Sequence, residues 1–167
     1  KYISPSINKD KLVITQGFIG STAERVTSTL GREGSDFTAA ILGSVLDAEY
    51  VAVWKAVPGI LNADPKLFNF AKKMDLVSYK EAIEMTYYGA KVLHPKTIKP
   101  LENKGIPLHV MSFIKPADDG TIIRKLDEEP LYPPITIKEP NQIVISIYTT
   151  DFSFISESDM SRILLLC

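Results

Sequence analysis

The chain has 167 residues, 45% of them hydrophobic and 23% charged, which suits a folded globular protein with room for one domain, or one domain and a fragment. Its 19 basic and 20 acidic residues leave a formal net charge of -1, giving no support to a general nucleic-acid or membrane-surface partner. Cys167 is the only cysteine, so an internal disulfide or thiol metal cluster is excluded, and without a membrane-length apolar run or secretory signal a cytoplasmic address is expected.

In chain order, Lys1 to Lys11 reads as a polar loop, and Leu12 to Gln16 as a short buried strand ended by Gly17 and Gly20. Ser21 to Thr29 suits a hairpin or a loop. Leu30-Gly31-Arg32-Glu33-Gly34 leads to Ser35, a good N-cap, and then to a helical pattern over Phe37 to Ala48. Tyr50 to Trp54 reads as a second buried strand, closed by the turn Val57-Pro58-Gly59. Ser78-Tyr79-Lys80-Glu81 is a capping box opening another helix, and a short helix is expected from about Pro95 to Asn103 with Pro100 inside it. Leu108 to Phe113 and Gly120 to Ile123 complete the strands of an α/β domain with parallel pairing. Residues 127–140, acidic and proline-rich, have the composition of a linker. Beyond them Gln142 to Tyr148 reads as a strand, and Ser158-Asp159 starts a helix. The opening Lys1 and the apolar closing run Arg162 to Cys167 lead us to expect an excerpt of a longer protein.

Three segments have chemical potential. In Gly31-Arg32-Glu33-Gly34-Ser35-Asp36 a glycine loop meets a helix N-terminus, whose free N–H groups suit an anion, and Arg32 adds a planar cation. Taken alone, such a loop is more often a capped helix start. Trp54-Lys55-Ala56-Val57-Pro58-Gly59, followed by Asn62-Ala63-Asp64-Pro65-Lys66, lies at a strand end, where open α/β sheets bind ligands. It reads equally well as two turns. In Gly89-Ala90-Lys91-Val92-Leu93-His94-Pro95, small residues allow close backbone approach to a phosphate, although a lysine there is more often a solvated charge. His94 and His109 are more often packed side chains than metal ligands. No P-loop and no Ser-His-Asp or Cys-His nucleophile set can be assembled.

Taken in register with Val13 to Gly20, these segments resemble the aspartate kinases of the amino-acid kinase family. The matching stretches are Val13 to Gly20, Thr29 to Ala40, Val53 to Ile60 and Gly89 to Pro95. The resemblance implies a three-layer α/β sandwich with a mainly parallel sheet, here partial, over residues 1–126. After the linker it implies the first strand and helix of an ACT-like α+β regulatory module over residues 141–167. The implied reaction moves the γ-phosphoryl of MgATP to the β-carboxylate of L-aspartate, opening the route to lysine, threonine and methionine. Arg32, Gly34 and Ser35 would hold aspartate, and Asp36 would orient the family's N-terminal catalytic lysine. Lys55, Ala56, Leu61, Lys66, Lys91 and Val92 would border the nucleotide, whose phosphates would carry most of the Mg2+ coordination, with no dedicated protein metal site. Homo-oligomers through the ACT regions and lysine or threonine as effector are implied as well.

The sequence departs from the family's pattern in places. Ala56 stands where Asp is usual, Lys66 where many members have Arg, and Leu61 where some have Tyr. The family's Lys-Phe-Gly-Gly-Thr-Ser segment, with its catalytic lysine, does not occur in these 167 residues, so the chain alone is expected to be inactive. Two alternatives stay open: a catalytically silent regulatory or assembly homologue, and an amino-acid kinase with another carboxylate acceptor.

Overall fold

The structure is a computed structural model that describes residues 12–127, 133–143, 145–150 and 153–166. The expectations for Lys1 to Lys11, for the linker residues 128–132, for Val144 and for Cys167 lie outside the described residues.

A two-stranded hairpin, β1 (Ile19–Ser21) and β2 (Thr27–Thr29), opens the fold. Helix α1 (Gly34–Val45) follows, then β3 (Val51–Lys55), β4 (Leu76–Ser78), α2 (Tyr79–Tyr87), α3 (Pro95–Glu102), β5 (Leu108–Ser112) and β6 (Thr121–Arg124). The four longer-range strands form one sheet in the order β3-β5-β6-β4. β3 with β5 and β4 with β6 are parallel, whereas β5 and β6 are antiparallel. The expected α/β architecture is therefore present with a mixed sheet. The stretch from Phe113 to Gly120 carries no helix, and without a crossover helix β6 returns antiparallel beside β5.

α1 packs on β3 and on α3, and α3 packs on α2, so the three helices form a layer on the sheet. Val51 and Val53 of β3, Leu108 and Val110 of β5, and Ile123 of β6 meet Ile98 and Leu101 of α3 and Ala82 and Met85 of α2 in one core. Ile98, Leu101, Leu108, Val110 and Ile123 are all fully buried, and each contributes roughly 1.5–3 kcal/mol relative to the exposed side chain.

Local chemistry explains most element boundaries. The Ser78 hydroxyl accepts from the Glu81 N–H at 3.1 Å while the Ser78 N–H donates to the Glu81 carboxylate at 2.9 Å, so the capping box fixes the start of α2. His94 caps α3 through Nδ1, which accepts from the Lys96 N–H, and Pro95 sits at the first helical position.

Three expectations need correction, and one strand went unread. Leu12 to Gln16 forms no strand; Leu12 and Ile14 are 89% and 86% exposed, because no described strand pairs with this run. The N-cap of α1 is Glu33, in a left-handed conformation, and Ser35 already lies within the helix. β4 was not anticipated, since three residues between a turn and a capping box show no periodicity. Gln142 to Tyr148 is not a strand at its described residues: Ile143, Ile145 and Ile147 are exposed, and an unpaired extended segment has no ladder to order it. Beyond it, α4 (Glu157–Leu164) is capped by Ser156 and Asp159 and has no buried residue.

Candidate functional site

The first half of the site is the N-terminus of α1. Thr38 Oγ1 donates back to the Gly34 carbonyl at 2.9 Å and accepts from the Phe18 N–H at 3.0 Å, docking the hairpin entrance on the first helical turns. A Cβ on Gly17 would stand 3.0 Å from the Ser35 Cα, so glycine there permits this approach. Two segments 18–20 residues apart thus share one surface. No side chain caps α1; the Gly34 N–H donates to the Gly31 carbonyl at 3.0 Å, and Arg32 and Ser35 are exposed at this helix start, whose dipole suits an anion. Gly34 is buried against Phe18 and Leu30 and shapes the loop from beneath.

Asp36 lies in the first turn of α1 and accepts from Lys55 Nζ at 2.5 Å. The two side chains are 18% and 24% exposed, so the pair is largely shielded. Lys55 is the last residue of β3, and this contact ties the sheet's end to the helix start. Within the described residues Asp36 therefore holds Lys55, a partner not anticipated for it.

The second half is a cavity of about 450 Å3 lined by Ala56, Leu61, Lys66, Lys91 and Val92 together with Met85 and Thr86 of α2. Every nucleotide-side residue expected from the sequence, except Lys55, thus borders one space. Lys55 is joined to it through the next residue, Ala56. Gly59 turns the chain into this wall at φ +144°, where a Cβ would lie 2.5 Å from Thr121 Oγ1. That buried hydroxyl donates to the Met74 carbonyl at 2.6 Å and accepts from the Ile60 N–H at 2.8 Å, pinning the turn to β6. Asp64 Oδ1 accepts from the Lys66 N–H at 2.9 Å and shapes the next bend. Lys66 and Lys91 are exposed cations at the cavity, and Val92 and Leu61 are half-buried.

Two features of this wall went unseen in the sequence. Asn62 is 1% exposed; its Oδ1 accepts from the Lys72 N–H at 2.7 Å, and its Nδ2 donates to the Pro134 carbonyl at 3.4 Å. Residues 135–140 also line the cavity, although their composition signals only a linker. The one available hint was the alternation of Ile135 and Ile137.

Residues 1–112 match the amino acid kinase family. The chain belongs to that family. Among curated relatives, lysine-sensitive aspartokinase 3 of Escherichia coli is 42% identical over 87% of the chain and 32% of its own length. Bifunctional aspartokinase/homoserine dehydrogenase 2 of Arabidopsis thaliana is 44% identical over 74% of the chain and 14% of its own length. A crystal structure of E. coli aspartokinase III with aspartate and ADP (R-state) superposes with a TM-score of 0.72 at 45% identity, covering 77% of this chain and 29% of that one. The chain thus spans about a third or less of the relatives it matches. The candidate site lies at the end of β3, a strand end of an α/β sheet being a common place for ligands. Among the described residues no group of three or more His, Cys, Asp or Glu side chains could hold a metal ion, and no helix is long and apolar enough to cross a membrane.

Proposed function

We propose that this chain is part of an aspartate kinase, which moves the γ-phosphoryl of ATP to the β-carboxylate of L-aspartate. The observation that carries the reading is the junction between the two halves of the site. The Asp36–Lys55 pair ends at Ala56, where the cavity bordered by Leu61, Lys66, Lys91 and Val92 begins. At 45% identity, a structure holding aspartate and ADP supports the same two occupants here.

In this reading Arg32 grips a substrate carboxylate with two parallel hydrogen bonds, and Ser35 and the Gly34 turn seat it on the α1 amides. ATP lies in the cavity with its phosphates toward Lys91, Lys66 and Lys55. A β-carboxylate oxygen forms the new bond to the γ-phosphorus while the bond to the β,γ-bridging oxygen breaks, and its electron pair leaves with ADP. Such a transfer asks the protein mainly for positioning and for positive charge around the phosphoryl group. Asp36 fixes where the Lys55 charge stands and would orient a further lysine contributed from elsewhere in the whole protein. Mg2+ would be held mainly by the nucleotide phosphates.

Residues 141–167 would open an ACT-type regulatory region that pairs between subunits. An amino-acid effector such as lysine is supported by the lysine sensitivity named for the E. coli relative. A cytoplasmic enzyme fits this reading.

The test is aspartyl-phosphate formation by the full-length protein, trapped with hydroxylamine, against a panel of carboxylate acceptors. Product with aspartate and ATP is expected. Product only with another acceptor assigns a different member of the family. ATP binding without any transfer favours the silent homologue, which the loss of a carboxylate at Ala56 keeps in play.

A further inference from the structure

We infer that residues 133–140 form a working wall of the nucleotide cavity, so that nucleotide binding and the seating of this strap depend on each other. The inference builds on the cavity being the nucleotide site. It concerns a segment beyond residues 1–112, where the family match ends.

Four observations place the strap. Ile135 and Ile137, two residues apart and so on one side of an extended chain, pack against the core. Between them the Thr136 N–H donates to the Asn62 carbonyl at 2.7 Å. The buried Asn62 amide reaches back to the Pro134 carbonyl at 3.4 Å. Farther along, the Glu139 carboxylate lies over Gly89, where a Cβ would stand 1.7 Å from Oε1. Gly89 has φ +107°, so glycine is favoured there twice, by backbone and by space.

Asn62 and Gly89 matter because of their neighbours. Asn62 follows Leu61 and belongs to the bend that carries Lys66. Gly89 precedes Ala90, Lys91 and Val92. The strap is thus anchored to both segments that supply nucleotide-side residues, and residues 135–140 line the cavity between them. Withdrawing it removes apolar wall and opens the site to water, while occupying the cavity adds contacts that hold it. A ligand that binds one arrangement better shifts the population toward that arrangement, and the coupling is reciprocal. Glu139 sits close to the phosphate end proposed at Lys91. Its negative charge opposes the phosphates there, so its placement tunes affinity.

The experiment uses the full-length protein and ADP as probe. Calorimetry is expected to show the Ile135→Ala/Ile137→Ala variant binding ADP on the order of tenfold more weakly, with the aspartate Michaelis constant unchanged. Glu139→Gln is expected to bind ADP more tightly than wild type. In wild-type protein, hydrogen exchange at the Thr136 amide should slow on adding ADP. This readout stands even if the double variant fails to fold. Unchanged exchange at Thr136 together with wild-type ADP affinity in the variants overturns the inference. No ADP binding by wild type overturns instead the reading of the cavity itself.

Discussion

Asp36 and Lys55 place two opposite charges 2.5 Å apart with less than a quarter of either side chain exposed. Ion pairs of this kind contribute on the order of 0–1 kcal/mol to stability. The pair is better understood as setting the position of a charge. In the full-length protein Asp36→Asn is therefore expected to lower kcat by on the order of 10²-fold with little change in the Michaelis constant for aspartate. Arg32 is exposed at the α1 N-terminus; under the proposed function it grips the substrate carboxylate, so Arg32→Ala is expected to raise that Michaelis constant. Steady-state kinetics of the two variants decide the matter: one shared pattern would show that the roles are assigned wrongly. Adding Lys55→Met to Asp36→Asn is expected to cost less than the two single effects combined, because both disturb one charge.

At the scale of elements, the contact between α1 and β3 holds the two halves of the site in register, and it depends on Gly43. A Cβ there would lie 2.3 Å from Val51 Cγ2. Alanine favours a helix by about 1 kcal/mol over glycine in an exposed position, but Val51 is buried and stiff at χ1. Gly43→Ala is expected to destabilise by about 1–3 kcal/mol through overpacking, as read by urea unfolding, and Val51→Ala should recover part of the loss. Helix α2 is also tied to the loop that leads into β5. The Tyr79 hydroxyl donates to the buried Ile106 carbonyl at 2.6 Å. Burial first, and then the nearby Glu102, raise the Tyr79 pKa, which keeps the phenol protonated as a donor. Tyr79→Phe leaves that carbonyl without its donor, and a loss of about 1–3 kcal/mol is expected in the same assay. An unfolding midpoint equal to wild type would show that water replaces the hydroxyl.

Over the whole molecule, stability is expected to fall mildly in acid through His109. Its ring stacks on Tyr50 with centroids 4.8 Å apart, and burial lowers its pKa from the ordinary value. The unfolded chain then binds a proton that the folded state resists. The contribution is absent well above pH ~6.5 and grows as pH drops through that value toward the lower folded pKa. His109→Phe keeps the stacking and removes the titration. Thermal unfolding at pH 7 and pH 5 should show a smaller acid loss in the variant than in wild type; equal losses would remove His109 as the cause.

The sequence alone determined those features whose physics is local. The Ser78–Glu81 box and the Pro95 start are satisfied within one helical turn, so their residues announce them. The motif resemblance grouped Ala56, Leu61, Lys66, Lys91 and Val92 before the fold was known, and these five residues border one cavity. Tertiary structure decided what depends on partners distant in the chain. Leu12 to Gln16 has the composition of a buried strand, yet it is exposed, and no strand among the described residues pairs with it. The antiparallel return of β6 comes from a connection that forms no helix. Asp36 finds Lys55 19 residues away because α1 folds back onto β3. The strap joins the cavity through a backbone hydrogen bond from Thr136 to Asn62, and any residue but proline could donate it. Backbone contacts of that kind leave no mark on residue type, so only the folded chain reveals them.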